Sequence, residues 1–411
     1  MRISLLLQRE PFGAILENTL AGFLRARTGD EHKIKWYPQR QAIADARQQG
    51  QQLWLCNIFL NAIFVQEARP QIFLPIQQEF GHSRRWWLRP AQATYVALAT
   101  RQPMARWLAQ AVVAVSPALA EAENVLIVAG NHKLRLLNGA DQRAFGILKH
   151  GFKPDFMQRE IEARRIAQAL ELPVPPLCEI AEDKTWFSEQ YVSGRPINRL
   201  ADGAASQQAA LRAAHDLRRF LEHSAVDSVA EEYAAALVER LKHLIQTQHL
   251  LTTTTKRKLS DSIDEILAEI NRRSATVSRR FVLALTHGDF QPANILVNEA
   301  GHWLIDWEYS QQRQVLYDAL VFGLAARSPR GLAGRVQQYL HRAPDALESA
   351  LWPGAAQDAD TRRLRVLVFL LEELDLHLTE NANTCFTQIG GGLAMLMAEL
   401  QELVNGTGFR E

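Results

Sequence analysis

Apolar and polar positions follow several rhythms along the chain. In the first 120 residues, short apolar runs at 2–8, 33–37, 53–65, 71–75 and 111–115 are bounded by polar clusters, which predicts strands. Ile15, Leu16, Leu20 and Leu24 recur at helical spacing and predict a helix over 12–27. Together they predict an α/β layer. The rhythm changes near residue 121. Residues 125–128, 133–137 and 143–149 are strand-like, separated by Ala129-Gly130-Asn131-His132 and by Asn138-Gly139-Ala140-Asp141, which predicts a three-stranded antiparallel meander.

Pro154 and Asp155 open a helical pattern running to about Leu170, proline being tolerated where the N–H has no intrahelical partner. Leu172-Pro173-Val174-Pro175 ends it, and an extended segment follows at 186–192. From residue 205 the pattern is mostly helical, over 205–223, 229–247, 255–275, 315–327 and 362–379. A strand-like island at 281–286, 295–297 and 303–305 interrupts it.

Length and composition narrow the class. A chain of 411 residues has room for two or three domains, and 47% hydrophobic with 22% charged residues is that of a folded soluble protein. Forty-six Lys plus Arg against 45 Asp plus Glu leaves +1, so no overall field draws the molecule to nucleic acid or anionic lipid. Cys56, Cys178 and Cys385 stand far apart with no CxxC pair, which excludes a cysteine metal or redox site and suggests a reducing, cytoplasmic setting. No apolar run approaches a membrane span, so no membrane insertion is expected.

Three motifs invite a sharper reading and are assigned a plainer one. Only one glycine follows the first apolar run, so dinucleotide binding there is unsupported. Gly390-Gly391-Gly392 is not followed by Lys-Ser/Thr and reads as close helix packing. Arg84-Arg85-Trp86-Trp87 reads as core aromatics with arginines at the rim.

The chemistry concentrates in the island, which reads Thr-His287-Gly-Asp289-Phe-Gln-Pro-Ala-Asn294-Ile-Leu-Val and then Gly-His-Trp-Leu-Ile-Asp306-Trp-Glu308. Taken singly, Asp and Asn in loops cap turns. Jointly, a strand, a loop, a hairpin and a further Asp would bring three oxygen ligands to one point. Hard oxygens suit Mg²⁺, with Asn294 and Asp306 as the candidate ligands. Asp289 would accept or orient a hydroxyl proton for attack on phosphorus. Glu308 is a secondary candidate, for a metal-bound water or the substrate, with a surface carboxylate as the alternative.

These residues resemble the HGDxxxxN and ID motifs of the aminoglycoside phosphotransferase and choline kinase group, small-molecule kinases that share the protein-kinase fold. The resemblance covers residues 121 to about 400. It implies an α+β, bilobal fold with a small antiparallel-sheet lobe at 121–192 and a helical lobe at 193–411, behind an N-terminal α/β domain at 1–120 of unassigned role. ATP would lie between the lobes with Mg²⁺.

The resemblance also implies roles. Lys149 would contact the α- and β-phosphates, with Glu160, preferred over Glu162, as its partner. Glu189, Gln190 and Tyr191 would form the linker whose backbone reads adenine, Asp318 would brace the catalytic loop, and His287 would support it. Two departures stand out: the turn at Gly130 lacks a glycine-rich phosphate loop, and Gly288 occupies the place of the protein-kinase arginine. The second favours a constitutively assembled small-molecule kinase.

The expected partner is a small-molecule hydroxyl acceptor, with no nucleic acid involved. A sugar or an amino alcohol is expected, and a sugar, in surface-glycan metabolism, is preferred because 1–120 with its closing Val115-Ser116-Pro117 resembles part of a nucleotide-sugar glycosyltransferase. Glu372, Glu373 and Asp375 could attract an amine-bearing acceptor, or could be a solvated helix face. The alternatives are a pseudokinase-like binding module and an aminoglycoside-modifying phosphotransferase.

Overall fold

The computed structural model describes residues 2–38, 50–80, 86–274, 280–342, 345–353 and 358–405. The chain forms two compact units, one of Met1–Gln158 with Pro175–Ser193, the other of Arg159–Val174 with Gly194–Glu411.

The first unit is built on a nine-stranded sheet. Its strands are β1 (Lys33–Tyr37), β2 (Gln52–Asn57), β3 (Ala62–Val65), β4 (Ala111–Ser116), β5 (Val125–Ala129), β6 (Lys133–Asn138), β7 (Arg143–Leu148), β8 (Leu177–Ile180) and β9 (Trp186–Gln190). They lie in the order β1-β4-β2-β3-β5-β6-β7-β9-β8. The meander β5-β6-β7 is present as expected. The strands of residues 1–120 join it without a break in the sheet, through Ile63 of β3 opposite Ile127 of β5. Every strand pair in this sheet is antiparallel. Doubly wound nucleotide-binding layers are built on parallel strands, so the likeness of 1–120 to a glycosyltransferase loses its ground.

Period-two alternation explains why these strands read as unbroken apolar runs: both faces are covered. Trp54, Cys56, Ile63 and Val65 pack under two helices, α1 (Ile3–Arg9) and α2 (Phe12–Thr28). Leu55, Ala62 and Phe64 pack on the opposite side with Ile72, Phe73, Ile76, Val96 and Ala105.

Three expectations for this region are corrected. Residues 2–8 form helix α1 rather than a strand, with Ile3 and Leu6 buried one turn apart and Leu5 and Leu7 exposed. Such a short apolar run fits either period. Residues 71–75 lie in a 3₁₀ turn, Pro70–Phe73, that leads into the helix Leu74–Phe80, with Pro70 at its opening. Trp87 is 58% exposed rather than core. Arg84 and Arg85 lie outside the described residues.

The second unit is mainly helical, with long helices at Gly203–Ser224, Ala230–Thr247, Thr253–Ser274 and Ala359–Glu380. Leucine and isoleucine stripes from the last three form one core. Gly392 approaches His377 so closely that a Cβ would come within 2.7 Å of the ring, the close packing expected of that glycine run. Two three-stranded sheets carry the island: β10 (Arg195–Pro196), β13 (Ile295–Asn298) and β14 (Gly301–Leu304) in one, β11 (Val226–Val229), β12 (Arg280–Thr286) and β15 (Gln311–Gln314) in the other. Among the described residues no helix is long and apolar enough to cross a membrane.

Candidate active site

Strand β12 delivers His287, Gly288 and Asp289 at its end. Gly288 has φ +85, and a Cβ there would stand 2.0 Å from the Tyr309 carbonyl oxygen, so only glycine fits. The His287 and Gly288 amides donate to the two carboxylate oxygens of Asp318, at 2.7 and 2.9 Å. Asp318 is fully buried at the start of the helix Tyr317–Gly323. Burial pushes its carboxyl up, against the opposing pull of His287 and the two amides.

His287 is equally buried. Its Nδ1 accepts from the Asp289 amide at 3.2 Å, and its Nε2 lies 3.1 Å from the Ile305 carbonyl oxygen, to which it donates. Desolvation pushes the imidazole below its usual pKa. A neutral ring with both nitrogens bonded to backbone is a brace between two loops and does not shuttle protons.

Asp289 is held on both oxygens. Arg327 Nε donates to Oδ1 at 2.7 Å, while Asn294 Nδ2 and Gln291 Nε2 donate to Oδ2 at 2.7 and 2.8 Å. Burial raises its pKa, Arg327 pulls it back, and the Asp306 charge adds to the rise. Arg327 also donates to the Gly288 carbonyl at 2.9 Å and pairs with Glu373, which in turn accepts from the Tyr317 hydroxyl. Sequence reasoning missed Arg327. It stands 38 residues from Asp289 in a segment with no motif.

Asn294 closes a 3₁₀ turn, Pro292–Asn294, and its Nδ2 also donates to the Asp289 carbonyl at 2.9 Å. That fixes the amide so that Oδ1, a hard oxygen, is uncommitted among the described residues. The Ile305 amide donates to the Asn294 carbonyl at 3.1 Å, which brings Asp306 beside Asn294. Asp306 has φ +68, a left-handed conformation uncommon outside glycine and one that functional sites hold in place. A fixed amide oxygen beside a partly exposed carboxylate fits Mg²⁺, which takes one or two protein oxygens and fills its shell with water and phosphate. Glu308 is 8% exposed, so it is not the surface carboxylate that was the alternative.

Glu372, Glu373 and Asp375 are 1–2% exposed, which overturns the solvated-face reading. Glu372 accepts from Tyr233 and Gln314, Glu373 pairs with Arg327, and Asp375 pairs with Arg240 at 2.7 Å. These acids are held inside the helical unit by specific partners rather than left to solvent.

In the first unit, Lys149 follows β7. Its side chain is wholly buried, with Nζ 2.5 Å from Glu10 Oε1. It also donates to the Asn131 and Gly130 carbonyls at 2.8 and 3.3 Å. The turn is tight: the Gly130 amide donates to the Lys133 carbonyl at 2.9 Å, where a Cβ would come within 2.8 Å. Of the two carboxylates weighed on the helix Asp155–Ala169, Glu160 is buried and Glu162 exposed.

Glu189 is buried at the end of β9 and pairs with Arg135 at 2.5 Å. The Gln190 and Tyr191 amides already donate to the Pro176 and Gln142 carbonyls, at 2.9 and 2.8 Å. Both amides are therefore committed to backbone acceptors, and neither has a second proton to give a ligand.

Among solved structures the chain is similar to a choline/ethanolamine kinase family protein from Mesorhizobium loti, with 16% identity over 78% of this chain and 96% of that one and a TM-score of 0.48. It is similar to a choline kinase from Cryptosporidium parvum, with 13% identity, coverage of 68% and 88%, and a TM-score of 0.43. It is also similar to the aminoglycoside phosphotransferase APH(4)-Ia, with 15% identity, coverage of 68% and 92%, and a TM-score of 0.45. No curated protein matches the chain. The profile described as the phosphotransferase enzyme family matches residues 129–352, more than half of the sequence and the stretch that holds Lys149, Asp289, Asn294, Asp306 and Asp318, and the chain belongs to that family.

Proposed function

We propose that this phosphotransferase moves the γ-phosphoryl group of ATP to a hydroxyl of a small molecule, a sugar or an amino alcohol. The observation that carries the reading is the anchoring of Asp289. Arg327, Asn294 and Gln291 occupy three of the roughly four lone-pair sites of its carboxylate, leaving about one for an incoming hydroxyl. As the acceptor oxygen bonds to the γ-phosphorus and the bond to ADP breaks, Asp289 receives the hydroxyl proton.

Lys149 would contact the phosphates, and the segment at 189–191 would lie against the base. Mg²⁺ held by Asn294 Oδ1 and Asp306 would neutralise charge on the transferred group. Asp318 and His287 hold the catalytic loop in place before substrate arrives, so little reorganisation accompanies the reaction.

The test is a transfer assay with radiolabelled ATP and Mg²⁺ against sugars, amino alcohols and aminoglycosides. Label is expected on one sugar or amino alcohol class. Label on aminoglycosides alone would move the acceptor to antibiotics, and nucleotide binding with no transfer to any acceptor would make the chain a binding module.

A further inference from the structure

We propose that Glu10, carried by the N-terminal helices, is the counter-ion that seats the Lys149 ammonium for phosphate binding. The inference rests on the reading of Lys149 as the phosphate-contacting lysine and makes residues 1–28 a working part of the nucleotide site.

Both side chains of the pair are 0% exposed, and Nζ and Oε1 are 2.5 Å apart. An ammonium so buried loses its charge unless an anion lies beside it. Glu10 is the anion the first unit supplies. Lys149 Nζ also donates to the Asn131 and Gly130 carbonyls, and the contact to Gly130, at 3.3 Å, is the longer of the two. It is the contact most readily exchanged for a phosphate oxygen.

The backbone places Glu10 with little freedom. Proline at position 11 disfavours a helical residue before it, and Glu10 is extended, at φ −148 and ψ 159, where α1 breaks from α2. Its amide donates to Leu6 at 2.9 Å, and its carbonyl accepts from Phe12 at 2.7 Å. One residue beyond Lys149, the His150 amide donates to Thr19 Oγ1 of α2 at 2.9 Å. Two adjacent residues at the end of β7 are thus gripped by α2 and the bend before it.

The pair is a poor device for folding alone. Glu10 Oε2 is buried and accepts no hydrogen bond among the described residues. A buried ion pair with an unsatisfied oxygen gives a fold nothing that apolar side chains would not give as well. A charged lysine at this point does serve phosphate recognition.

The experiment measures binding of MgATP and of adenosine, which lacks phosphates, to the full chain by calorimetry, for wild type, Glu10→Gln, Glu10→Asp, Lys149→Met and the Glu10→Gln/Lys149→Met double variant. Glu10→Gln should weaken MgATP about tenfold or more while adenosine binds as before. Glu10→Asp, which keeps the charge but withdraws it by one methylene, should lose part of that affinity. The double variant, free of both charges, should bind MgATP no more weakly than Lys149→Met alone. Should Glu10→Gln fail to fold, Glu10→Asp and the double variant carry the same test. Wild-type MgATP affinity in Glu10→Gln or Glu10→Asp, with Lys149→Met weakened, overturns the proposal and leaves Lys149 standing. Unchanged affinity in Lys149→Met overturns the reading of the lysine, and this proposal with it.

Discussion

Arg327 shows how one side chain sets the behaviour of another. Its guanidinium reaches Asp289, the Gly288 carbonyl and Glu373, so the Asp289 carboxylate is tied to the interior of the helical unit. Burial raises the Asp289 pKa and Arg327 opposes the rise. A base works in its ionised form, so activity is lost as pH falls through that pKa. Removing the arginine removes a lowering influence, and the acid limb of the kcat/KM profile in Arg327→Gln should move to higher pH. An acid limb at the wild-type position would show that Arg327 does not govern this ionisation. At this scale the sequence spoke for residues with fixed spacing, His287, Asp289, Asn294 and Asp306, which themselves lie within one loop and hairpin. It was silent on Arg327 and Glu10, because a cation or anion supplied from a distant stretch leaves no periodic trace.

Among the elements, the long amphipathic helices and the β5-β6-β7 meander were legible because their apolar periods extend over enough residues to exclude the other period. Short elements were not. The run at 2–8 has the apolar content of a strand, yet burial of Ile3 and Leu6 on one face makes it α1. The stretch at 71–75 became a 3₁₀ turn and helix opening at Pro70, where proline gives up no ladder bond. Docking of α2 offers a test of its own. Thr19 Oγ1 accepts from the His150 amide while donating to the Ile15 carbonyl at 2.6 Å. Thr19→Val keeps the shape and strands that amide, so unfolding should become easier by about 1–3 kcal/mol, read from denaturant melts. A melt unchanged from wild type would mean the amide is satisfied another way.

For the whole molecule, a unit built on an antiparallel sheet and a mainly helical unit give the α+β fold class the motifs implied, and the family assignment accords with it. What composition and periodicity hid is that residues 1–120 extend the sheet that bears Lys149, since a single bridging pair, Ile63 with Ile127, has no sequence signature. The near-zero net charge of +1 agrees with recognition by local arrangements of charge rather than by an overall field. The central claim is that this arrangement transfers phosphate through Asp289. Single-turnover transfer from radiolabelled ATP to the identified acceptor, compared between wild type and Asp289→Asn at equal nucleotide occupancy, tests it most directly. The account predicts a rate lower by about a thousandfold with MgATP still bound; transfer at the wild-type rate in the variant would contradict it.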